Sequence, residues 1–377
     1  MPSPSKPSLL SLSLLFFLPS TILASSSSNL GAVNPDDLID PSTGYLNPQA
    51  YLSTHPKPPS TSSHAPWTTP PLCHTSASNS SLKFCTYTSA PSFLNGLSLI
   101  TTPALAGLAI PHLDEHPVLQ FFPSDAEAED FLGTSRPYAV EDIPGKGKGV
   151  VATRRIAQYE TFMVDQANVV MDNRIEKALT ASQSLELLRR GVDGLRDPGR
   201  VRGLSGEHAG SKQSKSKMEG EKGEETVDDK DEHVMLTNSF GTEFEGENFR
   251  AVFPLVSRVN HACDPNSFVM FSATSLSIAL KSYRPILPGE EITISYVYLG
   301  TPTPHRASQL KKWGFECDCS LCSRPKKEIE ESDERRRRIQ EGEMEFQRLW
   351  EQERYQAAIA KGKELVKLIG EEGLTPM

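Results

Sequence analysis

The sequence predicts a mixed, β-rich α+β fold, on three observations. Short runs with strand-like alternation and β-branched residues, KFCTYTS (83–89) and LSLITT (97–102), occur in the first third. A Gly-rich turn separates further short strand-like runs between Tyr138 and Met171. Two stretches carry apolar residues at helical spacing, one after Ile175 and one after Pro325.

Taken in order, the chain opens on a signal-like segment. Lys6 supplies a positive charge, SLLSLSLLFFL an apolar run, and Ile22-Leu23-Ala24 a cleavage site. Residues 1–24 are therefore expected to be a signal peptide directing the chain to the secretory pathway; unused, it would leave a nuclear or cytoplasmic protein. The apolar run is too short for a transmembrane helix, and no other run is long enough. Residues 25–71, rich in Ser, Pro and Thr, are expected to be mostly disordered. An N-terminal extension follows over 72–135. It carries the sequon Asn79-Ser80-Ser81 between Cys73 and Cys85, a pair that an oxidising compartment would allow to join.

The main domain is expected over 136–322. Ile175, Leu179, Leu185, Leu188 and Val192 mark a helix within it. Residues 197–232 are mostly Gly, Ser, Lys, Glu and Asp and read as a disordered, charged insertion. Residues 326–377 read as a helical pair, its apolar face built from Met344, Phe346, Leu349, Trp350, Tyr355, Ile359, Leu365, Leu368 and Ile369. Arg335 to Arg338 have acidic flanks and read as a solvated helix face rather than a nuclear signal. No internal repeat is visible beyond that helical pair.

Composition narrows the function. A net charge of -9 argues against a general nucleic-acid binder, which needs a basic surface, and favours a basic polypeptide as any charged partner. Of six cysteines, Cys263, Cys317, Cys319 and Cys322 lie in the C-terminal half, three of them as CDCSLC. That spacing suits a metal, because neighbouring thiolates can converge on one ion.

The chemistry-bearing motifs are GKGKGVVA (145–152), RVNHACDPNSF (258–268), LPGEEITISY (287–296) and WGFECDCSLC (313–322). Glycines in the first let backbone amides approach a ligand, but no Ser or Thr follows at P-loop spacing. In this order the motifs resemble those of the SET-domain protein-lysine methyltransferases: GxG, NHxCxPN, GEExxxxY and a post-SET CxCxxC. With TNSF upstream, the spacing looks most like the SET-and-MYND subclass and fungal SET proteins. The likeness spans Tyr138 to Cys322 and leaves out the N-terminal third. It departs from the subclass in three ways. There is no cysteine-bearing MYND finger between GKGKG and TNSF, the usual GE after the first strands reads Tyr159-Glu160, and the C-terminal helices are short.

The resemblance implies a pseudoknotted SET fold with a zinc-binding post-SET segment and a short C-terminal helical region. It assigns S-adenosylmethionine to the backbone around Lys146, Gly147 and Lys148, with Asn238, Asn260 and His261. Tyr296 matches the active-site tyrosine, which orients the reacting centre and helps the amine shed its proton. Phe315 matches the aromatic wall of the lysine channel, with Trp313 a second candidate. Cys263, Cys317, Cys319 and Cys322 match the ligands of a structural zinc. The expected substrate is a protein or peptide presenting a lysine, a histone among the candidates. Alternatives are a catalytically inactive SET-type binding module and a secreted, effector-like SET protein.

Overall fold

The structure is a computed structural model describing residues 39–40, 45–46, 64–92, 94–204, 227–274 and 276–374. The expected signal peptide lies outside the described residues. Two compact units are distinguished, Met1–Pro56 and Lys57–Met377. In the first, β1 (Ile39–Asp40) pairs antiparallel with β2 (Tyr45–Leu46).

In the second unit the described residues begin at His64, inside the stretch 25–71 whose composition suggests disorder. There Trp67 is buried, its indole 7% exposed and its ring 5.1 Å from that of Tyr87. Next come β3 (Leu72–Thr75), β4 (Lys83–Ser89), β5 (Leu97–Thr101), α1 (Pro103–Ala109) and α2 (Asp125–Gly133). The hairpin β6 (Tyr138–Ile143) and β7 (Gly147–Ala152) precedes β8 (Thr161–Gln166) and β9 (Val169–Asp172).

The helix expected after Ile175 is two helices, α3 (Ile175–Ala178) and α4 (Ala181–Asp193). A capping box divides them: the Thr180 hydroxyl accepts the Gln183 N–H, and the Gln183 carbonyl oxygen accepts the Thr180 N–H. The reset of phase makes Leu187 a core residue while Leu185 stays half-buried.

Part of the charged stretch expected to be disordered is helical. Helix α5 (Gly199–Arg202) and the start of α6 (Val227–Thr237) fall inside it. Val201 and Leu204 are buried against Leu188, Val192 and Val234, and Arg202 pairs with the buried carboxylate of Asp231 at 2.8 Å. A few apolar anchors and one ion pair outweigh the polar average.

After α6 come β10 (Ser239–Phe244), β11 (Glu247–Val252), β12 (Asn260–His261), β13 (Ser267–Phe271), β14 (Ser277–Ser282) and β15 (Glu291–Ile294). Helix α7 (Thr303–Leu310) and the long pair α8 (Lys326–Glu351) and α9 (Tyr355–Glu371) follow. The strands make sheets ordered β10-β11-β9-β5-β4-β3, β12-β15-β7-β6 and β13-β14-β8. Pairing is antiparallel except between β5 and β9 and between β12 and β15. The N-terminal extension is thus not an appendage, since β5 sits against β9 in the middle of the largest sheet. Mixed sheets with helices fit a SET fold. Among the described residues no helix is long and apolar enough to cross a membrane.

Two turns repeat one design. Arg154 donates to Glu160 at 2.9 Å and Arg284 to Glu290 at 2.6 Å. Each glutamate also accepts a backbone N–H three residues back, from Ala157 and from Leu287. The two turns meet where Ile156 and Ile286 exchange backbone hydrogen bonds of 2.9 and 3.0 Å. Burial alone would raise the Glu290 carboxyl, but Arg284, the Leu287 N–H and Asn266 outweigh it and hold it below its ordinary range.

Candidate active site and cysteine cluster

The β6–β7 turn brings the first motif to the site. Gly145 and Gly147 hold φ values of 78° and 75°, which favour glycine. A Cβ at Gly149 would lie 2.4 Å from Ile143 Cγ1 and 2.8 Å from Asn260 Nδ2, so the strand passes the second motif too closely for any side chain. Asn260 Nδ2 donates to the Lys148 carbonyl at 3.3 Å and to Glu291 Oε1 at 2.9 Å. The other Glu291 oxygen accepts from Lys146 Nζ at 2.8 Å. Burial would lower the Lys146 pKa, but the Glu291 carboxylate outweighs it and keeps the ammonium charged. The Lys148 side chain instead pairs with Asp142 at 2.9 Å.

Parallel pairing of β12 with β15 sets the second motif beside the third. His261 Nδ1 accepts the Tyr296 N–H at 3.0 Å, so in the neutral ring the proton sits on Nε2, which lies 3.3 Å from Cys263 Sγ. Burial lowers the His261 pKa to about 4, which keeps the ring neutral. The Tyr296 hydroxyl donates to the Val259 carbonyl at 2.8 Å, and burial pushes its pKa above the ordinary value.

Aromatic rings gather around these two residues. Tyr296 lies 5.3 Å from His261 and 4.9 Å from Trp313, and Phe315 lies 6.1 Å from His261. Trp313 Nε1 donates to the Thr237 carbonyl at 2.7 Å. The adjacent Asn238 is buried, and its carbonyl accepts the Ser257 hydroxyl at 2.9 Å. Tertiary folding thus brings the segments around Lys146, Asn238, Asn260, Tyr296 and Trp313 to one corner.

The sulfurs of Cys263, Cys317, Cys319 and Cys322 lie within 4.8 Å of one another. Cys263 Sγ is 3.8 Å from that of Cys317 and 3.5 Å from that of Cys322. A tetrahedral zinc with bonds of about 2.3 Å needs sulfurs about 3.8 Å apart, so the donor set fits. Two arginines line this cluster, and sequence reasoning missed both roles. Arg306, 2% exposed, donates to the Thr301 carbonyl and the Thr303 hydroxyl, while its Nε has no hydrogen-bond partner. Arg336, 1% exposed, donates to the Cys263 carbonyl at 3.4 Å, to the Leu299 carbonyl and to Glu372 Oε1. The arginine run is therefore not a wholly solvated face: Arg336 turns inward because Glu372 and two carbonyls satisfy it. Glu291 was also missed. It stands in plain view within GEE, but no spacing signals its bonds to two other motifs.

Comparison with known proteins bears on this corner. A family model described as "SET domain" matches residues 147–297. A 72-residue stretch is 42% identical to a SET and MYND domain-containing protein of Dictyostelium discoideum, covering 19% of this chain and 21% of that protein. Over 80 residues the chain is 36% identical to histone-lysine N-methyltransferase SMYD3 of Homo sapiens, covering 21% of this chain and 18% of the relative. Over 97 residues it is 32% identical to N-lysine methyltransferase SMYD2-B of Danio rerio, covering 26% and 22%. The chain thus spans about a fifth of the length of these relatives.

Proposed function

We propose that this chain is an S-adenosylmethionine-dependent methyltransferase acting on lysine side chains of a protein substrate, a reading supported by the match of residues 147–297 to a family model described as SET domain. The observation that carries the reading is the convergence of Asn260, His261 and the Lys146–Lys148 turn beside Tyr296, with Trp313 and Phe315 around it.

Bound there, S-adenosylmethionine supplies an electrophilic methyl group on a sulfonium. The chain's residues do the rest. The Asn260 amide nitrogen is engaged by Lys148 and Glu291, which leaves its carbonyl oxygen to accept from the donor's amine. Tyr296 stays protonated, and its proton is directed at the Val259 carbonyl, so its oxygen presents lone pairs to an incoming amine. A lysine needs its neutral form to attack, and its free pKa is about 10.4. Aromatic walls at Trp313 and Phe315 disfavour the ammonium by desolvation. Holding amine and methyl in line is worth about 7–11 kcal/mol in favourable systems. Zinc is the metal proposed for the four cysteines, where it would tie the segment bearing Phe315 to β12.

Calorimetric titration with S-adenosylmethionine, beside methyl transfer to a broad peptide array, tests the reading. Tyr296→Phe should keep the donor affinity and lose about 10²-fold or more in turnover, whereas Asn260→Ala should weaken donor binding itself. An unchanged rate for Tyr296→Phe sinks the catalytic assignment. Absence of donor binding by a folded, zinc-loaded chain sinks the enzyme reading in favour of a binding module.

A further inference from the structure

We propose that Asn79 is an N-glycosylation site, on a hairpin that matures in an oxidising secretory compartment. Asn79-Ser80-Ser81 is the one Asn-x-Ser/Thr sequon in the 377 residues. It falls in the loop between β3 and β4, closed by the Thr75–Lys83 pair. All three residues are exposed. Asn79 Oδ1 accepts the Ser81 N–H at 3.0 Å, and the Asn79 carbonyl accepts the Leu82 N–H at 2.9 Å. Neither Asn79 Nδ2 nor the Ser81 hydroxyl has a hydrogen-bond partner among the described residues. Both groups that glycosylation requires therefore face solvent and are unengaged. The strand that leads into them, β3, is the outer strand of its sheet, so among the described residues no further strand pairs beyond it.

A second, chemically separate observation sits at the base of the same hairpin. Cys73 and Cys85 face each other across the ladder and are joined as a disulfide. Disulfides persist in secretory and extracellular settings and are rare in reducing ones. The signal-like reading of residues 1–24 points to that compartment from a third direction. The four clustered sulfurs are spaced to share one metal ion, and a bound ion would compete with disulfide formation for those thiolates.

In the transfer step, a bond forms between Asn79 Nδ2 and the anomeric carbon of a lipid-pyrophosphate-linked oligosaccharide. The bond from that carbon to the pyrophosphate oxygen breaks, the pyrophosphate leaves with the electron pair, and Nδ2 gives one proton to a base. Neither donor binding nor methyl transfer enters the argument, so this inference stands or falls apart from the proposed enzyme activity.

The full chain, with its own N-terminus, is to be produced in a eukaryotic host and its secreted and intracellular fractions weighed by intact mass before and after peptide N-glycosidase. The expected result is an enzyme-sensitive mass increment on the exported chain, with Asn79 converted to Asp on release of the sugar. Asn79→Gln and Ser81→Ala should each abolish it, and Ser81→Thr should retain it. Differential alkylation should find Cys73 and Cys85 joined in the same fraction. A chain retained in the cytosol, or one exported with Asn79 unmodified, overturns the proposal. If Asn79→Gln is lost to degradation, Ser81→Ala keeps the asparagine and decides: a persisting increment on that variant also overturns it.

Discussion

Glu291 joins the first motif to the second through one carboxylate. One oxygen takes the Asn260 amide and the other the Lys146 ammonium, at 2.9 and 2.8 Å. Both partners are only partly buried, so the ion pair itself contributes little, about 0–1 kcal/mol once solvent screening is counted. Its larger effect is orientation: without it the Asn260 amide is held only by the longer bond to the Lys148 carbonyl, 3.3 Å, and under the proposed reading its oxygen would be less firmly aimed at a donor. Glu291→Gln retains an acceptor for Asn260 and should bind S-adenosylmethionine within a few-fold of the native chain. Glu291→Ala removes both contacts and should weaken binding about 10-fold or more, the scale of one to two hydrogen bonds. Equal affinity of Glu291→Ala and the native chain in calorimetry would show that Asn260 needs no such anchor.

Among the elements, the twin turns explain a departure from the family pattern. Tyr159 stands where glycine is usual and holds φ at 61°, while its counterpart Gly289 holds 82°. A non-glycine residue there bears about 1–2 kcal/mol of strain, against about 0.5–1 kcal/mol for the extra chain entropy of glycine. Tyr159→Gly should therefore stabilise the chain by up to about 1 kcal/mol, read as a higher urea midpoint; a lower midpoint would mean the ring's contacts outweigh the strain. The insertion makes a second test at this scale. Removing residues 206–226, mostly Gly, Ser, Lys and Glu, should leave the melting temperature nearly unchanged, since shortening a connection of such composition changes its closure entropy little. Extending the deletion to Lys230 removes the first turn of α6, next to the Asp231 carboxylate that Arg202 needs. That longer deletion should destabilise the chain by several degrees, and an identical melting temperature for the two would refute the boundary.

Over the whole molecule, the C-terminal helices are tied to the cysteine-cluster corner by charge and hydrogen bonds. Glu372, whose side chain is 1% exposed, takes Arg336 and Arg335 at 2.7 and 2.8 Å. Arg336 then reaches the carbonyls of Cys263 and Leu299. Arg306 is the cation beside the cysteine sulfurs, whereas Arg336 meets Cys263 only at its backbone carbonyl and takes its countercharge from Glu372. Glu372→Ala leaves a buried guanidinium uncompensated, a change that in buried pairs costs about 3–5 kcal/mol. Faster zinc loss to a chromogenic chelator should accompany the lowered melting temperature. A destabilised variant that kept zinc as long as the native chain would separate the helices from the cluster. Elsewhere the helical pair is less buried than its period suggests. Leu349, Leu365 and Leu368 are in the core, while Met344, Trp350, Tyr355 and Ile359 are exposed. Amphipathic spacing defines a face but not how much of it a partner covers.

What the sequence determined by itself was a mixed fold of sheets and helices and the motifs in which to look for chemistry. Cysteines two and three apart, NHAC and GEE with its tyrosine are legible because their chemistry demands fixed residue types at short spacing. Tertiary structure alone decided which of these touch. It turned Arg336 inward, made Glu291 a bridge, joined Cys73 to Cys85 and recruited β5 to the central sheet. It also drew two charged helical segments out of a stretch whose average composition promised none. Each of these outcomes rests on partners far away in the chain or on a few apolar anchors. Local propensity and mean composition carry no information about a contact until the backbone has brought its two sides together.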